Sequence, residues 1–329
     1  MANPELQEND EGLDLAKRMA EEEEGVGRRP RGSVKYLIPT VAVIWSLFQL
    51  SIASWLIIDS TFIRAIHLAF ALLLVFLNYP LFKKAKGGIG AYFSATDRIP
   101  LLDLGIGILA AIAALYIAID YQGLTTRYGS PIFRDLLFGA ILVVLLLEAA
   151  RRVIGPALPI IATLFIIYAF MGPYMPDLIA FKGVSLNRFM GQMTMSTEGI
   201  YGIPLDVSAT IVFLFVLFGS MLDKAGAGKY FIQLALSMLG GFKGGPAKAA
   251  VMGSGFTGLV SGSSIANIVT TGTFTIPLMK KVGYPPTKAA AVEVAASTDG
   301  QLAPPIMGAA AFIIAEYVNV PYVEVIKAA

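Results

Sequence analysis

The 329-residue chain has no cysteine and a single histidine, His67. The first absence excludes disulfides and thiolate metal sites, and the second excludes a histidine-rich metal cluster. Charge is scarce as well: Asp, Glu, Lys and Arg make up 15% of positions against 56% hydrophobic, and mean hydropathy is +0.70. A soluble globule of this size needs more polar surface, so the composition implies an all-α, polytopic protein of the lipid bilayer. A net charge of +2 offers nothing to nucleic acid. No catalytic Ser/His/Asp set is present, so an enzyme is not expected. Gly253-Ser254-Gly255-Phe256-Thr257-Gly258 matches a dinucleotide fingerprint, but no strand precedes it, and helix packing through small residues is the better reading. Gly226-Ala227-Gly228-Lys229 lacks the upstream Gly and the Ser/Thr of a phosphate-binding loop, so no ATP site is expected.

The first 35 residues hold nine acids, then Arg28, Arg29, Arg31 and Lys35, and no apolar core of a signal peptide. They read as a disordered cytoplasmic tail, 1–35. Apolar windows predict spans at Tyr36–Ile58, Ile63–Phe82, Pro100–Ile119, Phe133–Glu148, Pro156–Gly172 and Leu205–Leu222. With the N-terminus inside, the basic clusters Lys83/Lys84/Lys86, Arg151/Arg152 and Lys224/Lys229 all fall on the inner side. Leu186, Phe189, Met190 and Met193 predict an amphipathic helix at the membrane surface, and Tyr230–Leu239 predicts another. Leu104-Gly105-Ile106-Gly107 and Gly219–Gly228 suit close helix approach. Glu148 with Arg151 and Arg152 reads as an interfacial ion pair, and His67 as a satisfied span residue.

Pro246–Met279 is apolar enough for membrane but wrong for one span. As a single helix it would run about 50 Å, against about 30 Å of hydrocarbon. Ser261-Gly262-Ser263-Ser264 sits at its centre, where Gly and Ser are poor helix formers. Lys243 and Lys248 precede it and Lys280 and Lys281 follow, so both ends prefer one side. A re-entrant helical hairpin with two arms of about 14 residues, each about 21 Å, fits these features. Next, Thr287–Ala296 is helical by composition and Phe312–Val318 resumes an apolar pattern. Between them Ser297-Thr298-Asp299-Gly300-Gln301-Leu302-Ala303-Pro304-Pro305 forbids a regular helix. Irregular backbone at membrane depth has to be buried in protein or line a wet cavity, which is how discontinuous helices build cation and substrate sites. Ser261–Ser264, Asn267, Thr270, Thr271, Thr273, Thr275, Ser297, Thr298 and Asp299 give oxygen ligands suited to a weakly held alkali cation, with simple packing as the alternative. The start of the returning arm suits a carboxylate. Asp299 is the first candidate for a cation partner or proton acceptor; Glu293 could pair with a lysine, and Glu316 could reach the outer interface.

GLVSGSSIANIVTTGTFTIPLMKKVGYPPTKAAAVEVAASTDGQLAPPIMGAAAFIIAE resembles the large membrane subunit of tripartite ATP-independent periplasmic (TRAP) transporters. The tip pattern S-G-S-x-x-A-N and the turn S-T-x-G-Q-x-x-P-P carry the resemblance, which is strong over Gly240–Ala329. The first four spans resemble, by arrangement, a small membrane subunit fused ahead of it, as in the TAXI-type branch. The resemblance implies a sodium-driven, elevator-type importer of organic anions in a bacterial or archaeal cytoplasmic membrane, with no cofactor beyond the coupling ion. Its partner would be a periplasmic TAXI-type solute-binding protein. The sodium tip carries over to Ser261, Gly262, Ser263, Ser264 and Asn267, and its partner turn to Thr298, Gly300 and Gln301. Substrate contacts are expected from Asn267, Thr270, Thr271, Ser297 and Thr298. Asp299 departs from the family, which has a small or apolar residue there. The expected organisation is a tail (1–35), a four-span small-subunit-like domain (36–155), linking spans and interfacial helices (156–245), and the first hairpin and broken helix (246–329). A second, inverted set is not visible, so the chain is expected to be the front portion of a permease. A scaffold subunit for a partner permease is the alternative.

Overall fold

Among the residues that the computed structural model describes (27–28, 30–82, 94–127, 129–304 and 307–328), every regular element is helical. The tail up to residue 26, Arg29, the Lys83/Lys84/Lys86 cluster and Pro305 lie outside them. The helices are α1 (Leu37–Ser54), α2 (Ser60–Asn78), α3 (Leu101–Ile119), α4 (Tyr121–Thr126), α5 (Phe133–Val153), α6 (Ala157–Met171), α7 (Leu186–Thr194), α8 (Ile203–Val207), α9 (Phe213–Lys224), α10 (Ala227–Leu239), α11 (Gly245–Ser261), α12 (Ser264–Lys281), α13 (Pro286–Thr298), α14 (Ala309–Val318) and α15 (Tyr322–Ala328). A π-helical turn, Ser208–Val212, joins α8 to α9.

Five of these helical stretches are long and apolar enough to cross a membrane: Val34–Ser54, Ser60–Asn78, Leu101–Ile119, Ala157–Tyr174 and Ile203–Leu222. Counting the bent pair α14 and α15 as one span makes six. Large apolar side chains stand exposed along α1 (Val43, Ile44, Leu47) and α6 (Ile160, Leu164, Phe165). In water such faces would be unfavourable; in hydrocarbon they are at home. The chain is an integral membrane protein. The fourth expected span, α5, is not among the five: it runs to Val153 rather than Glu148 and carries Arg134, Asp135, Glu148, Arg151 and Arg152.

The described residues fall into two compact units, 27–209 and 210–328. In the first unit α2 packs on α3 along Ala65, Leu68, Ala69, Leu72 and Phe76 against Ala110, Ala113, Ala114 and Ile117. The spacing of three, four and seven places each set on one helical face, and the alanines let the backbones approach. Gly107 belongs to this contact, since a Cβ there would lie 3.3 Å from Leu73 and Phe76 side chains; Gly105 faces open space. Helix α7 forms where the amphipathic pattern placed it, burying Phe189 and Met190.

The buried charges described in this unit are paired, although Arg152 Nη2 itself has no hydrogen-bond partner among the described residues. Asp103 in the first turn of α3 is fully buried between two guanidiniums, Arg28 and Arg152, the latter at 2.9 Å. Arg152 also reaches Glu148 at 2.8 Å and stacks over the Phe76 ring, while Arg28 donates to the Phe76 carbonyl at 3.1 Å. Arg28 is buried rather than solvated. The ion pair of Glu148 with Arg151 and Arg152 forms as expected, and buried Arg152 carries it inward to Asp103. His67 is satisfied as expected, with Gln49 Nε2 at 2.5 Å from its Nδ1. Beyond the end of α3, a hydrogen bond from Arg127 and the charge of Arg134 hold the Asp120 carboxyl below the usual carboxylate range.

Removing Asp103 would leave two buried guanidiniums short of their counter-ion, which typically costs about 3–5 kcal/mol. Asp103→Ala is therefore expected to lower the thermal unfolding midpoint in detergent far more than Asp206→Ala. Asp206 is partly exposed beside Arg64, and such pairs contribute about 1 kcal/mol or less. Equal losses for the two variants would refute the ranking.

Candidate functional site

The second unit is built on a helical hairpin. Gly244, in the left-handed region at φ 71°, and Pro246 in the first turn start α11. Gly262, at φ 59°, ends it, with its N–H on the Gly258 carbonyl at 3.2 Å. The Asn267 N–H already bonds the Ser263 carbonyl at 3.0 Å, so α12 begins at once. The interruption is thus two residues, Gly262 and Ser263, rather than four. A left-handed glycine ends one helix without the Cβ penalty, which lets Ser261 and Ser264 remain helical. The arms are longer than expected, 17 and 18 residues or about 26 and 27 Å. Neither is among the helices long and apolar enough to span.

Helix α13 packs on both arms and ends at Thr298. A 3₁₀ turn, Asp299–Gln301, follows, and the Gly308 N–H bonds the Gln301 carbonyl at 2.8 Å. Unwinding therefore starts after Thr298, two residues later than the sequence suggested. Proline still sets the limit, because Pro304 lacks the N–H that a continuing helix would use.

The turn is seated on the hairpin by backbone contact. A Cβ built on Gly258 would stand 2.4 Å from the Gly300 Cα, and one on Gly300 would stand 3.2 Å from Asn267 Nδ2. Asn267 is fully buried; its Nδ2 donates to the Ser254 carbonyl at 2.8 Å, and its Oδ1 is buried with no hydrogen-bond partner. At the rim, Gln301 Nε2 donates to Ser264 Oγ at 3.1 Å. Gly262, Ser263, Ser264, Asn267, Gly300 and Gln301 are thus brought to one place, where the tip meets the turn.

Other expected site residues go elsewhere. The side chain of Ser261 is not described. Ser297 points inward, so Thr298 and Asp299, roughly 100° and 200° further round the helix, are exposed. Thr298 Oγ1 donates to its own helix at the Val294 carbonyl, 2.8 Å away. Thr270 is half-buried, and its carbonyl accepts from Thr273. Thr271 and Ser297 turn to Glu293, which is fully buried and makes no pair with a lysine among the described residues. Thr275 Oγ1 completes that cluster at 2.5 Å from Oε2, and Ser254 Oγ joins through Ser297 at 2.9 Å. Sequence reasoning missed the cluster, although Thr271/Thr275 and Glu293/Ser297 both have the four-residue spacing of one helix face. It also missed Gly258 as a specific contact. Helix α10 buries Ile232 and Ala235 and packs on α11, where a Cβ on Gly253 would meet Ile232 at 3.4 Å.

The Gly258–Gly300 contact has a direct check, because the chain lacks cysteine. Ser264→Cys with Gln301→Cys is expected to be bridged by a short bifunctional thiol reagent. Adding Gly258→Val should abolish most of that bridging by lifting the turn from the hairpin. Unchanged cross-linking in the Val background would show that the contact does not seat the turn.

Residues 141–329, more than half of the chain, match the family described as the tripartite ATP-independent periplasmic transporter, DctM component. Among curated relatives, the C4-dicarboxylate TRAP transporter large permease protein DctM of Vibrio cholerae is 38% identical over 91 residues, 28% of this chain and 20% of that protein. Its namesake in Rhodobacter capsulatus is 30% identical over 135 residues, 37% of this chain and 29% of that protein. The isethionate TRAP transporter permease protein DctMQ of Oleidesulfovibrio alaskensis is 30% identical over 136 residues, 37% of this chain and 21% of that protein. The chain thus spans about a fifth to a third of the length of these relatives, and no solved structure matches it. On the match over residues 141–329, the chain belongs to the DctM component family of tripartite ATP-independent periplasmic transporters.

Proposed function

We propose that this chain forms part of the permease of a sodium-coupled importer of organic anions, fed by a periplasmic solute-binding protein. The observation that carries the reading is buried Asn267, whose Nδ2 lies beside Gly300 and whose Oδ1 is an acceptor with no hydrogen-bond partner. An unpaired buried acceptor is unfavourable by about 1–3 kcal/mol, and a cation is the simplest group that would satisfy it. The same tip and turn carry neutral oxygens on Ser263, Ser264 and the Gln301 amide. Hard oxygen ligands without a carboxylate suit sodium better than a transition metal. Sodium is cargo here, moving with the substrate down its gradient.

The substrate class follows from relatives whose names cover C4-dicarboxylates and isethionate, all organic anions. In this reading the first N–H groups of α12, which begins at Ser264, receive such an anion, because helix N-termini favour negative charge. The unit containing tip and turn is the moving body of an elevator, and the helices of 36–155 act as a fused small subunit of TAXI type. The membrane is the inner membrane, with the N-terminus on the cytoplasmic side.

In the assembled transporter reconstituted with its binding protein, Asn267→Ala should raise the sodium concentration for half-maximal uptake by about fivefold or more, from a lost ligand worth about 1–3 kcal/mol. Ser237→Ala, an exposed hydroxyl on α10, should leave it unchanged. An unaltered sodium requirement in Asn267→Ala, or equal uptake in choline, would reduce the tip to helix packing.

A further inference from the structure

The Glu293 cluster has more acceptors than protons. Thr271 Oγ1 lies between the Asn267 carbonyl, at 2.7 Å, and Glu293 Oε1. Thr275 Oγ1 lies between the Thr271 carbonyl, at 3.0 Å, and Glu293 Oε2, at 2.5 Å. Ser297 Oγ lies 3.2 Å from Oε1 and 2.9 Å from Ser254 Oγ. Each hydroxyl owns one proton and can give it to one acceptor at a time. The six oxygen–oxygen contacts therefore share four hydroxyl protons. With an ionised carboxylate, two contacts would set lone pair against lone pair. A proton on the carboxyl lets Glu293 donate to one threonine while that threonine keeps its bond to the preceding turn.

Among the described residues, no cation pairs with Glu293 to stabilise the ionised form. Glu293 has no exposed surface, and its polar neighbours are these hydroxyls. Of the charged groups on packed elements, Lys248 of α11 lies over the Phe242 ring, and Lys280 and Lys281 sit at the far end of α12 from Ser264. Lys229 opens α10, Lys288 is in the first turns of α13, and Asp299 is exposed beyond its end. None forms an ion pair with Glu293 among the described residues. An uncompensated buried carboxylate would be strongly unfavourable.

From this geometry we propose that Glu293 is a proton-binding site of the transport unit, separate from the tip. It takes a proton from water onto one carboxyl oxygen and returns it to water when the cluster opens. The site is wired to the tip: Glu293 meets Ser297, Ser297 meets Ser254, and the Ser254 carbonyl holds Asn267 Nδ2. Loss of the proton would leave two carboxylate oxygens competing for these hydroxyls and loosen the seat of Asn267. The role as part of a transport cycle rests on the reading above; the bound proton itself does not.

Infrared spectroscopy of the full chain in lipid vesicles reads that proton without any uptake. At neutral pH the parent should show the carbonyl-stretch band of a protonated carboxylic acid, shifted in heavy water and lost in Glu293→Gln. The amide mimics the neutral acid, so the variant should keep the parent's thermal unfolding midpoint, whereas Glu293→Lys should lower it. Retention of the full band in Glu293→Gln would overturn the proposal, as would a band that appears only on acidification. A band that vanishes on adding sodium at constant pH would also overturn it, by making Glu293 a cation ligand. Because sodium dependence at Asn267 is read by uptake, failure of either claim leaves the other standing.

Discussion

Hydrocarbon offers no hydrogen bonds, so a polar group drawn into this chain has to bring its partner with it. In the first unit the constraint is met by charge, with Asp103 set between Arg28 and Arg152 and the outer arginine edge tied to Glu148. In the second it is met by hydroxyls, with Thr271, Thr275 and Ser297 closed around Glu293. The difference has a functional consequence. A buried salt-bridge network resists change, because parting any member strands a charge. A carboxyl held by hydroxyls changes state with the transfer of one proton.

The same constraint explains the glycines that matter. A hairpin tip and an unwound turn expose backbone groups, which survive away from water only if the two segments cover each other. Gly258 and Gly300 let backbone lie on backbone, and Gly262 reverses one helix into the next within two residues. Asn267 is then trapped beneath the contact with one acceptor unmet.

Much of this was legible in the sequence, since apolar windows mark spans and Pro-Pro marks a broken helix. The hairpin was readable because Ser261–Ser264 sits at the centre of a stretch too long for one crossing. Its finer form was not, because composition cannot say that Gly262 takes the left-handed conformation while Ser261 and Ser264 stay helical. Residue types promised ligands at Thr271 and Ser297, yet helix phase turns both toward Glu293, and the same phase turns Asp299 outward. Arg28 was read as tail because a run of charge looks solvated; its partner, Asp103, lies 75 residues away and leaves no local signal.

The account stands or falls on whether the seated turn closes over a cation. A single cysteine at Leu302, an exposed position beside Gln301, reports on that closure in a chain with no other thiol. Sodium, and not choline, should slow its alkylation in lipid vesicles, and Asn267→Ala should remove the slowing. Equal rates in sodium and choline would contradict the account.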